Sequence, residues 1–213
     1  LLLLVPLSMC AQQPAHERIS FRLMDKDDGL PYASITHLLQ DRSGKLWVGM
    51  SLGLAVYDGN QFTSITCGEE RAPIRPVQLI EGRDGAIWVA SLLGVVRVDP
   101  LTWKTRLYDL PDTFDHGIDG MPIMSVALGK GSTLFCGTQR GLFHLDTDRG
   151  VFTEIRSVGK ELMEVDRAGF KPDSALHGFW IGTWNQGLAF YDTLSGTLYE
   201  KDGDRSVFPW IGE

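Results

Sequence analysis

The hydrophobic and polar positions of this chain recur in short blocks, each of which fits a β-strand flanked by turn residues. The block Leu46-Trp47-Val48 is apolar at every position, which is typical of strands that are covered on both faces. The polar segment Asp41-Arg42-Ser43-Gly44 precedes it and predicts a tight turn. A second strand-like block, Gly53 to Tyr57, follows after a short connection. The pattern predicts short paired strands in place of long helices.

This arrangement returns three more times along the chain. The aromatic positions of the four copies, spaced 41, 47 and 45 residues apart, are Trp47, Trp88, Phe135 and Trp180. Glycines recur at two matching positions, where a side chain would crowd the turn. They end the aromatic-bearing strand at Gly49, Gly137 and Gly182, and they open the next strand at Gly53, Gly94, Gly141 and Gly187. A period of about 40 to 50 residues made of short strands indicates the blades of a β-propeller.

We therefore predict an all-β fold, a partial β-propeller of about four four-stranded antiparallel blades with a truncated fifth. The blades are expected at residues 34–66, 75–108, 122–156 and 161–200, with the start of the next at 207–213. Because an open arc leaves blade faces uncovered, we interpret residues 12–213 as the N-terminal part of a larger propeller.

Each blade is expected to begin with an apolar innermost strand, which we assign to Leu162–Asp166 in the fourth blade. Residues Ala168–Leu176 are then interpreted as an insertion in the turn that follows this strand. The outermost strands of the four blades are marked by one large apolar residue each, namely Phe62, Trp103, Phe152 and Leu198.

At these positions the chain resembles the two-component regulator propeller repeat, whose pattern is D-x-x-G-x-I/L-W-V/I-G-T followed by G-L-x-x-Y/F-D. Phe21-Arg22-Leu23, with Asp28-Gly29-Leu30-Pro31 after it, is similar to the family's opening segment, where a lone strand precedes G-L. Departures are Met50 and Ser91 in place of threonine and Phe135 in place of tryptophan. The resemblance implies the extracytoplasmic sensor region of a hybrid two-component system, with a histidine kinase farther along the chain and an oligosaccharide as the signal.

Composition excludes two classes of protein. With 20 basic and 27 acidic residues, the net charge is -7. The sequence contains no basic stripe that could bind a phosphate backbone, so nucleic acid is not an expected partner through this region. A hydrophobic content of 43% without long polar tracts excludes intrinsic disorder.

The apolar start of the chain, Leu1 to Leu7, is interpreted as a remnant of a secretory signal peptide that covers residues 1–11. Leu7-Ser8-Met9-Cys10 resembles a lipoprotein box with Cys10 as the lipidated residue, and cleavage after Ala11 is the rival. A buried apolar strand is the third alternative. Export to the periplasm is the favoured hypothesis.

No constellation of residues indicates catalysis, a metal site or a cofactor. The five histidines share no ligand spacing. Asp41, Asp84 and Asp166 are expected to be turn residues, and so are the four aspartates that follow the third strands, Asp58, Asp99, Asp146 and Asp192. Cys67 and Cys136 fall at unrelated positions of the repeat and are expected to be unpaired buried thiols.

A ligand site is predicted from the residues that the repeat does not need. The second-to-third strand loop of the fourth blade contains Trp184, Asn185 and Gln186, and Arg140 lies in the equivalent loop of the third blade. An aromatic ring can stack on the apolar face of a sugar while amides bond its hydroxyls, and arginine can pair with an acidic sugar. The alternative for Trp184 is packing on the adjacent blade. The long loop Leu110–Gly120 is expected on the same face.

Three functions remain open at this point. The first is a sensor that binds an oligosaccharide, with the remaining blades, a downstream kinase and a second copy of the chain as partners. The second is a propeller enzyme that resembles streptogramin B lyase, and the third is a protein-interaction propeller, because a scaffold does not define an activity.

Overall fold

The computed structural model of the chain describes residues 20–67, 72–110, 123–139, 141–155, 165–173, 176–183 and 187–199. A 3-10 helix at Lys26–Asp28 precedes the strands. The strands of the first sheet are β1 (Ile35–Gln40), β2 (Leu46–Met50), β3 (Gly53–Tyr57), β4 (Phe62–Cys67) and the short β5 (Ala72–Pro73). Those of the second are β6 (Pro76–Glu81), β7 (Ile87–Ser91), β8 (Gly94–Val98) and β9 (Thr105–Tyr108).

The third and fourth sheets repeat this order of strands. The third contains β10 (Ile123–Leu128), β11 (Thr133–Thr138), β12 (Gly141–Asp146) and β13 (Val151–Ile155). The fourth contains β14 (Val165–Asp173), β15 (Gly178–Thr183), β16 (Leu188–Asp192) and β17 (Thr197–Tyr199). Every pair of neighbouring strands is antiparallel and follows the chain order. The all-β fold predicted from the repeat is confirmed.

The first strands of neighbouring sheets face each other along the inside of the arc. Strand β1 packs against β6, β6 against β10, and β10 against β14. The amide of Val126 in β10 donates a hydrogen bond of 2.7 Å to the side-chain oxygen of Gln78 in β6. The described residues therefore form an open arc of four propeller blades, in which the first and fourth sheets do not pack against each other.

Each of the first three aromatic anchors is buried between its own sheet and the next one. Trp47 lies in a cluster with Val89 and Val96 of the second sheet, and it is fully buried. Trp88 packs with Val126 and other residues of the third sheet. Phe135 contacts Phe179 of the fourth sheet, with ring centroids 4.7 Å apart. The anchors therefore join consecutive blades through apolar contact, which is the main favourable term in their association.

The turn between the first two strands of the first sheet is organised by the carboxylate of Asp41. One carboxylate oxygen accepts hydrogen bonds from the Ser43 and Lys45 amides, at 2.9 and 3.0 Å. The other accepts from the Trp47 indole at 2.8 Å. Burial alone would raise the pKa of Asp41, but these hydrogen bonds, with one from the Ser43 hydroxyl, outweigh burial and hold the pKa below its ordinary value.

We expect Asp41→Asn to lower the free energy of unfolding at neutral pH by about 1.5–3 kcal/mol, the range for hydrogen bonds to a charged group. Because the folded-state pKa is depressed, the stabilisation from ionised Asp41 is present above the unfolded-state pKa of about 3.9 and is lost as the pH falls through the lower folded value. Denaturant unfolding measured from pH 7 to pH 2 should show a shallower acid loss in the variant. Asp109→Asn, at an exposed aspartate, is the control. An acid profile identical to that of the unmodified protein would contradict the role of Asp41.

Two arginines at the same position of consecutive turns join neighbouring sheets. The guanidinium of Arg42 donates to the carbonyl oxygen of Gly82 at 2.6 Å and pairs with Glu81 at 3.3 Å. One period later, Arg83 donates to the carbonyl oxygen of Gly129 at 2.6 Å. Each arginine therefore connects a first-to-second strand turn to the corresponding turn of the following sheet.

The turns between third and fourth strands share an aspartate that accepts backbone hydrogen bonds. The carboxylate of Asp58 accepts from the amides of Asn60 and Gln61 at 2.8 and 2.9 Å. The same arrangement holds at the other three predicted positions, Asp99, Asp146 and Asp192. Their expected role as turn residues is confirmed.

Trp103 does not mark the outer strand of the second sheet, as the sequence predicted. It lies in the turn before Thr105–Tyr108, with a left-handed φ of 58°, and its amide donates to the Asp99 carbonyl oxygen at 2.8 Å. The turn between the third and fourth strands is longer in the second sheet than in the first. An alignment of the copies by residue spacing alone therefore placed Trp103 in the fourth strand. The markers of the other three sheets, Phe62, Phe152 and Leu198, do lie in their fourth strands.

The first strand of the fourth sheet was also assigned wrongly. It runs through Val165–Asp173, so most of the supposed insertion at Ala168–Leu176 is strand. Asp166 consequently lies in the strand, and the carboxylate at the turn is that of Asp173, which accepts from the Trp180 indole at 3.2 Å. In the sequence, Lys171 and Pro172 interrupt the apolar pattern, so the pattern does not show where this strand ends. Phe170 is nevertheless buried and packs edge-on against Phe179.

The predicted glycine positions hold only in part. Gly49, Gly137 and Gly182 lie one residue inside the ends of β2, β11 and β15. A Cβ at Gly49 would come within 3.3 Å of Pro76 in the next sheet, whereas one at Gly182 would meet no described atom within 4 Å. Among the described residues, the expected crowding is therefore found at Gly49 and not at Gly182.

The opening segment does not form a lone strand in the described residues. Phe21 and Leu23 are exposed and unpaired with any sheet, because the chain turns instead into the 3-10 helix that Asp25 caps. Leu30 is the part of this segment that packs, against Val48, Met50 and Ala55 of the first sheet. It covers apolar residues on the face of the first sheet that points away from the second sheet.

Cys67 and Cys136 are both buried and free, as predicted. Burial raises the pKa of each thiol, and at Cys67 a hydrogen bond with Thr105 opposes the effect. A raised pKa disfavours the reactive thiolate. These cysteines are therefore core residues.

Candidate functional site

The two ends of the sheets present different connections. We call the end with the second-to-third strand loops the loop face, and the opposite end, with the first-to-second and third-to-fourth strand turns, the turn face. The predicted ligand residues belong to two neighbouring loops of the loop face: Arg140 between β11 and β12, and Trp184, Asn185 and Gln186 between β15 and β16. All four lie outside the described residues, as do residues 111–120 of the long loop after Leu110 and the predicted start of a next blade at 207–213.

Hydroxyl groups at the ends of the second strands close the loops of the loop face. Thr183 donates to the carbonyl oxygen of Gly187 at 2.7 Å, and its amide bonds the same oxygen at 3.1 Å. Thr138 bonds Gly141 at 3.0 Å, and Ser91, a departure from threonine, still makes the equivalent bond to Gly94 at 2.9 Å. The ends of the loops that carry the predicted site are thus held together by short polar contacts.

The loops of the first two sheets are apolar where those of the third and fourth are polar or aromatic in sequence. Leu52, Leu92 and Leu93 are exposed at the tips of these loops. Sequence reasoning did not single them out, although they occupy the same loop position as Arg140 and Trp184.

Among the described residues, a cleft lies on the turn face between each pair of neighbouring sheets. The cleft between the second and third sheets has a volume of about 430 Å³. Its second-sheet wall consists of Arg83, Asp84, Trp88, Arg97, Arg106 and Tyr108. The opposite wall comes from the third sheet and includes Ser132, Thr133, Thr147 and Asp148. We call this the arginine cleft.

Side-chain contacts connect the residues on the second-sheet side of the arginine cleft. The guanidinium of Arg97 pairs with Asp84 at 2.8 Å and lies 5.8 Å from the ring centroid of Trp88. The hydrogen bond from Arg97 is the main reason why the pKa of Asp84 lies below its ordinary value. The guanidinium of Arg106 lies 4.6 Å from the ring centroid of Tyr108, whose hydroxyl donates to the Thr147 carbonyl oxygen at 3.0 Å across the cleft.

Sequence reasoning missed this cleft, although one signal pointed to it. Position 97 pairs with the anchor Trp88, and the equivalent partners of the other anchors are Val56, His144 and Phe190. A permanently charged residue at this position departs from the apolar pattern. The expected structural role of His144 agrees with its half-buried place in strand β12.

The described residues contain neither a cluster of metal-ligating side chains nor a membrane-spanning helix. Within the ranges given above, no group of three or more histidine, cysteine, aspartate or glutamate residues could hold a metal ion. Among the same residues, no helix has the length and apolar character needed to cross a membrane.

Comparison with known proteins identifies the repeat. Residues 29–51 match the family described as two component regulator propeller, so the resemblance predicted from the sequence is confirmed. No curated protein matches the chain.

Several solved structures share the fold at low sequence identity. The extracellular domain of the putative hybrid two component system BT3049 from B. thetaiotaomicron is 17% identical with a TM-score of 0.64, over 87% of this chain and 27% of that one. That of BT4673, described as a putative one component system from the same organism, is 20% identical with a TM-score of 0.61, over 83% of this chain and 24% of that one. YCF48 from Cyanidioschyzon merolae is 13% identical with a TM-score of 0.53, over 74% and 50%. The chain spans about a quarter of the two extracellular domains, and the likeness concerns the fold alone.

Proposed function

We propose that this chain is part of an extracytoplasmic propeller that senses an oligosaccharide on behalf of a two-component signalling protein. The observation that carries the proposal is the two-component regulator propeller repeat at residues 29–51. Its place in the first sheet of an arc similar to the extracellular domain of a putative hybrid two component system supports the same function. The chain acts by binding, and turnover of the ligand is not part of its role.

The ligand binds on the loop face, where it contacts Trp184, Asn185, Gln186 and Arg140. The indole of Trp184 stacks on the apolar face of a sugar ring, while the two amides exchange hydrogen bonds with its hydroxyls. The contact between Thr183 and Gly187 fixes the two ends of this loop. A loop whose ends are already held loses less conformational entropy when a ligand binds.

The remaining partners follow from the same proposal. Further propeller blades complete the arc, a histidine kinase later in the same protein receives the signal, and two copies of the protein form a homodimer. The protein resides in the periplasm, tethered to the inner membrane by a membrane helix or by lipidation of Cys10.

Trp184→Ala is expected to weaken oligosaccharide binding by about 1–3 kcal/mol, the range for loss of an aromatic stacking partner, or about 5- to 150-fold in Kd. Isothermal titration of the intact protein with a panel of neutral and acidic oligosaccharides measures the effect. Trp103→Ala is the matched control, because Trp103 lies on the turn face and is partly exposed.

Equal affinity of the Trp184→Ala variant and the unmodified protein for a bound sugar would remove Trp184 from the site. Failure of the whole panel to bind would contradict oligosaccharide sensing itself. Turnover of a bound ligand, or magnesium-dependent lyase activity of the intact protein, would favour the enzyme alternative.

A further inference from the structure

We propose that the arginine cleft binds an acidic sugar residue through its carboxylate or sulfate group. This is a second site, on the face opposite the ligand loops. It rests on the proposed function only for the expectation that the ligand is a sugar.

The charges of the cleft do not cancel. Three arginines line it, against the two carboxylates of Asp84 and Asp148. Arg97 and Asp84 neutralise each other at 2.8 Å, which leaves Arg83 and Arg106 facing a single carboxylate. A local excess of positive charge in a protein of net charge -7 marks this cleft as a place for an anion.

Arg106 is the guanidinium best placed to receive the anion. No described carboxylate lies within the 4.0 Å that defines an ion pair with it. Its contact is instead with the ring of Tyr108, which is buried and bonded to Thr147. A guanidinium positioned in advance loses little freedom when it forms a two-point contact with a carboxylate or a sulfate.

The rest of the cleft suits the body of a sugar. A volume of about 430 Å³ lies within the usual range of small-molecule sites, about 300–1,000 Å³. Ser132 and Thr133 supply hydroxyl-bearing side chains to the wall opposite the arginines. At the rim, a Cβ on Gly131 would meet no described atom within 4 Å, so this side of the cleft is open to a ligand.

The two neighbouring clefts of the turn face lack this combination. In the cleft between the first and second sheets, Arg42 is paired with Glu81, and Lys45 donates to the Pro100 carbonyl oxygen at 3.1 Å. The cleft between the third and fourth sheets is smaller, about 290 Å³, and the basic side chains in its lining are those of Arg83, Lys130 and His177. Stacking of arginines on aromatic rings is found, among the described residues, in the arginine cleft.

The test is calorimetric titration of the intact protein with four probes: a glucuronate-containing disaccharide, N-acetylglucosamine 6-sulfate, a neutral glucose disaccharide and sodium sulfate. We expect one or both acidic sugars to bind, and Arg106→Gln to raise the Kd at least tenfold, about 1.4 kcal/mol. Arg75→Gln is the matched control, because Arg75 is exposed in the same part of the chain but on the loop face. Binding should weaken as salt increases.

Each outcome bears on the proposal. The two acidic probes distinguish a carboxylate ligand from a sulfate ester. Equal binding by the unmodified protein and Arg106→Gln, or no binding of either acidic sugar, would overturn the assignment. Sodium sulfate that binds as tightly as the sulfated sugar would overturn the sugar part of it. A glycan whose binding depends on Trp184 and not on Arg106 would overturn the cleft while supporting the site on the loop face.

Discussion

Trp47→Ala is expected to lower the free energy of unfolding by about 3–5 kcal/mol, the range for removal of a large buried aromatic side chain. The side chain is fully buried between the first and second sheets, so its loss leaves a cavity between two blades. The substitution also removes the indole that donates to Asp41 at 2.8 Å, and a buried carboxylate then loses one of its partners. Denaturant unfolding of the intact protein, followed by circular dichroism, measures the change.

Two variants separate the contributions of volume and hydrogen bonding. Trp47→Phe keeps most of the apolar contact but removes the donor to Asp41, so its cost should be clearly smaller than that of Trp47→Ala. Trp103→Ala removes a tryptophan that is 36% exposed in a turn, and we expect a clearly smaller change than at the fully buried Trp47. Equal costs at positions 47 and 103 would show that Trp47 is not an anchor between blades.

Gly94→Ala is expected to lower the free energy of unfolding strongly, for two reasons that act at the same position. The φ of Gly94 is 127°, a region that residues with a side chain rarely adopt, and strain of this kind costs about 1–3 kcal/mol. A Cβ at this position would also lie 2.5 Å from the Tyr108 carbonyl oxygen in the neighbouring strand. Because that oxygen belongs to the backbone of β9, relief of the clash requires the outer strand of the second sheet to move.

Two glycines of the fourth sheet serve as controls in the same unfolding experiment. Gly182→Ala places a Cβ where no described atom lies within 4 Å, at ordinary φ, and should have a small effect. Gly187→Ala places a Cβ where no described atom lies within 4 Å, but Gly187 has a φ of 86°, so this variant reports backbone strain without a clash among the described residues. The expected order of cost is Gly94, then Gly187, then Gly182, and a different order would contradict the role of the close approach.

The sequence was sufficient to predict the blades because the repeat specifies local chemistry at each turn. Asp58 and its equivalents receive backbone amides from residues two and three positions later, and such bonds depend on neighbours along the chain. The burial of Trp47 follows similarly from an apolar block whose two faces are covered. Both features can be deduced from residue type and spacing alone.

Residue spacing predicted wrong strand positions where the length of a turn or strand differs between copies of the repeat. The longer turn that holds Trp103 and the extended strand Val165–Asp173 each displace the alignment by a few residues. The arginine cleft was missed for another reason. Arg83, Arg97 and Arg106 are far in the chain from Ser132 and Asp148. All five line the same cleft because the second and third sheets lie side by side in the fold.

The arginines that join consecutive sheets donate their hydrogen bonds in the same direction along the chain. Arg42 and Arg83 both come from the earlier sheet, and the carbonyl oxygens of Gly82 and Gly129 that receive them belong to the later one. Because synthesis delivers the earlier sheet first, each donor exists before its acceptor leaves the ribosome. These contacts can therefore form in order from the first sheet to the third, each one as soon as the later sheet has been synthesised.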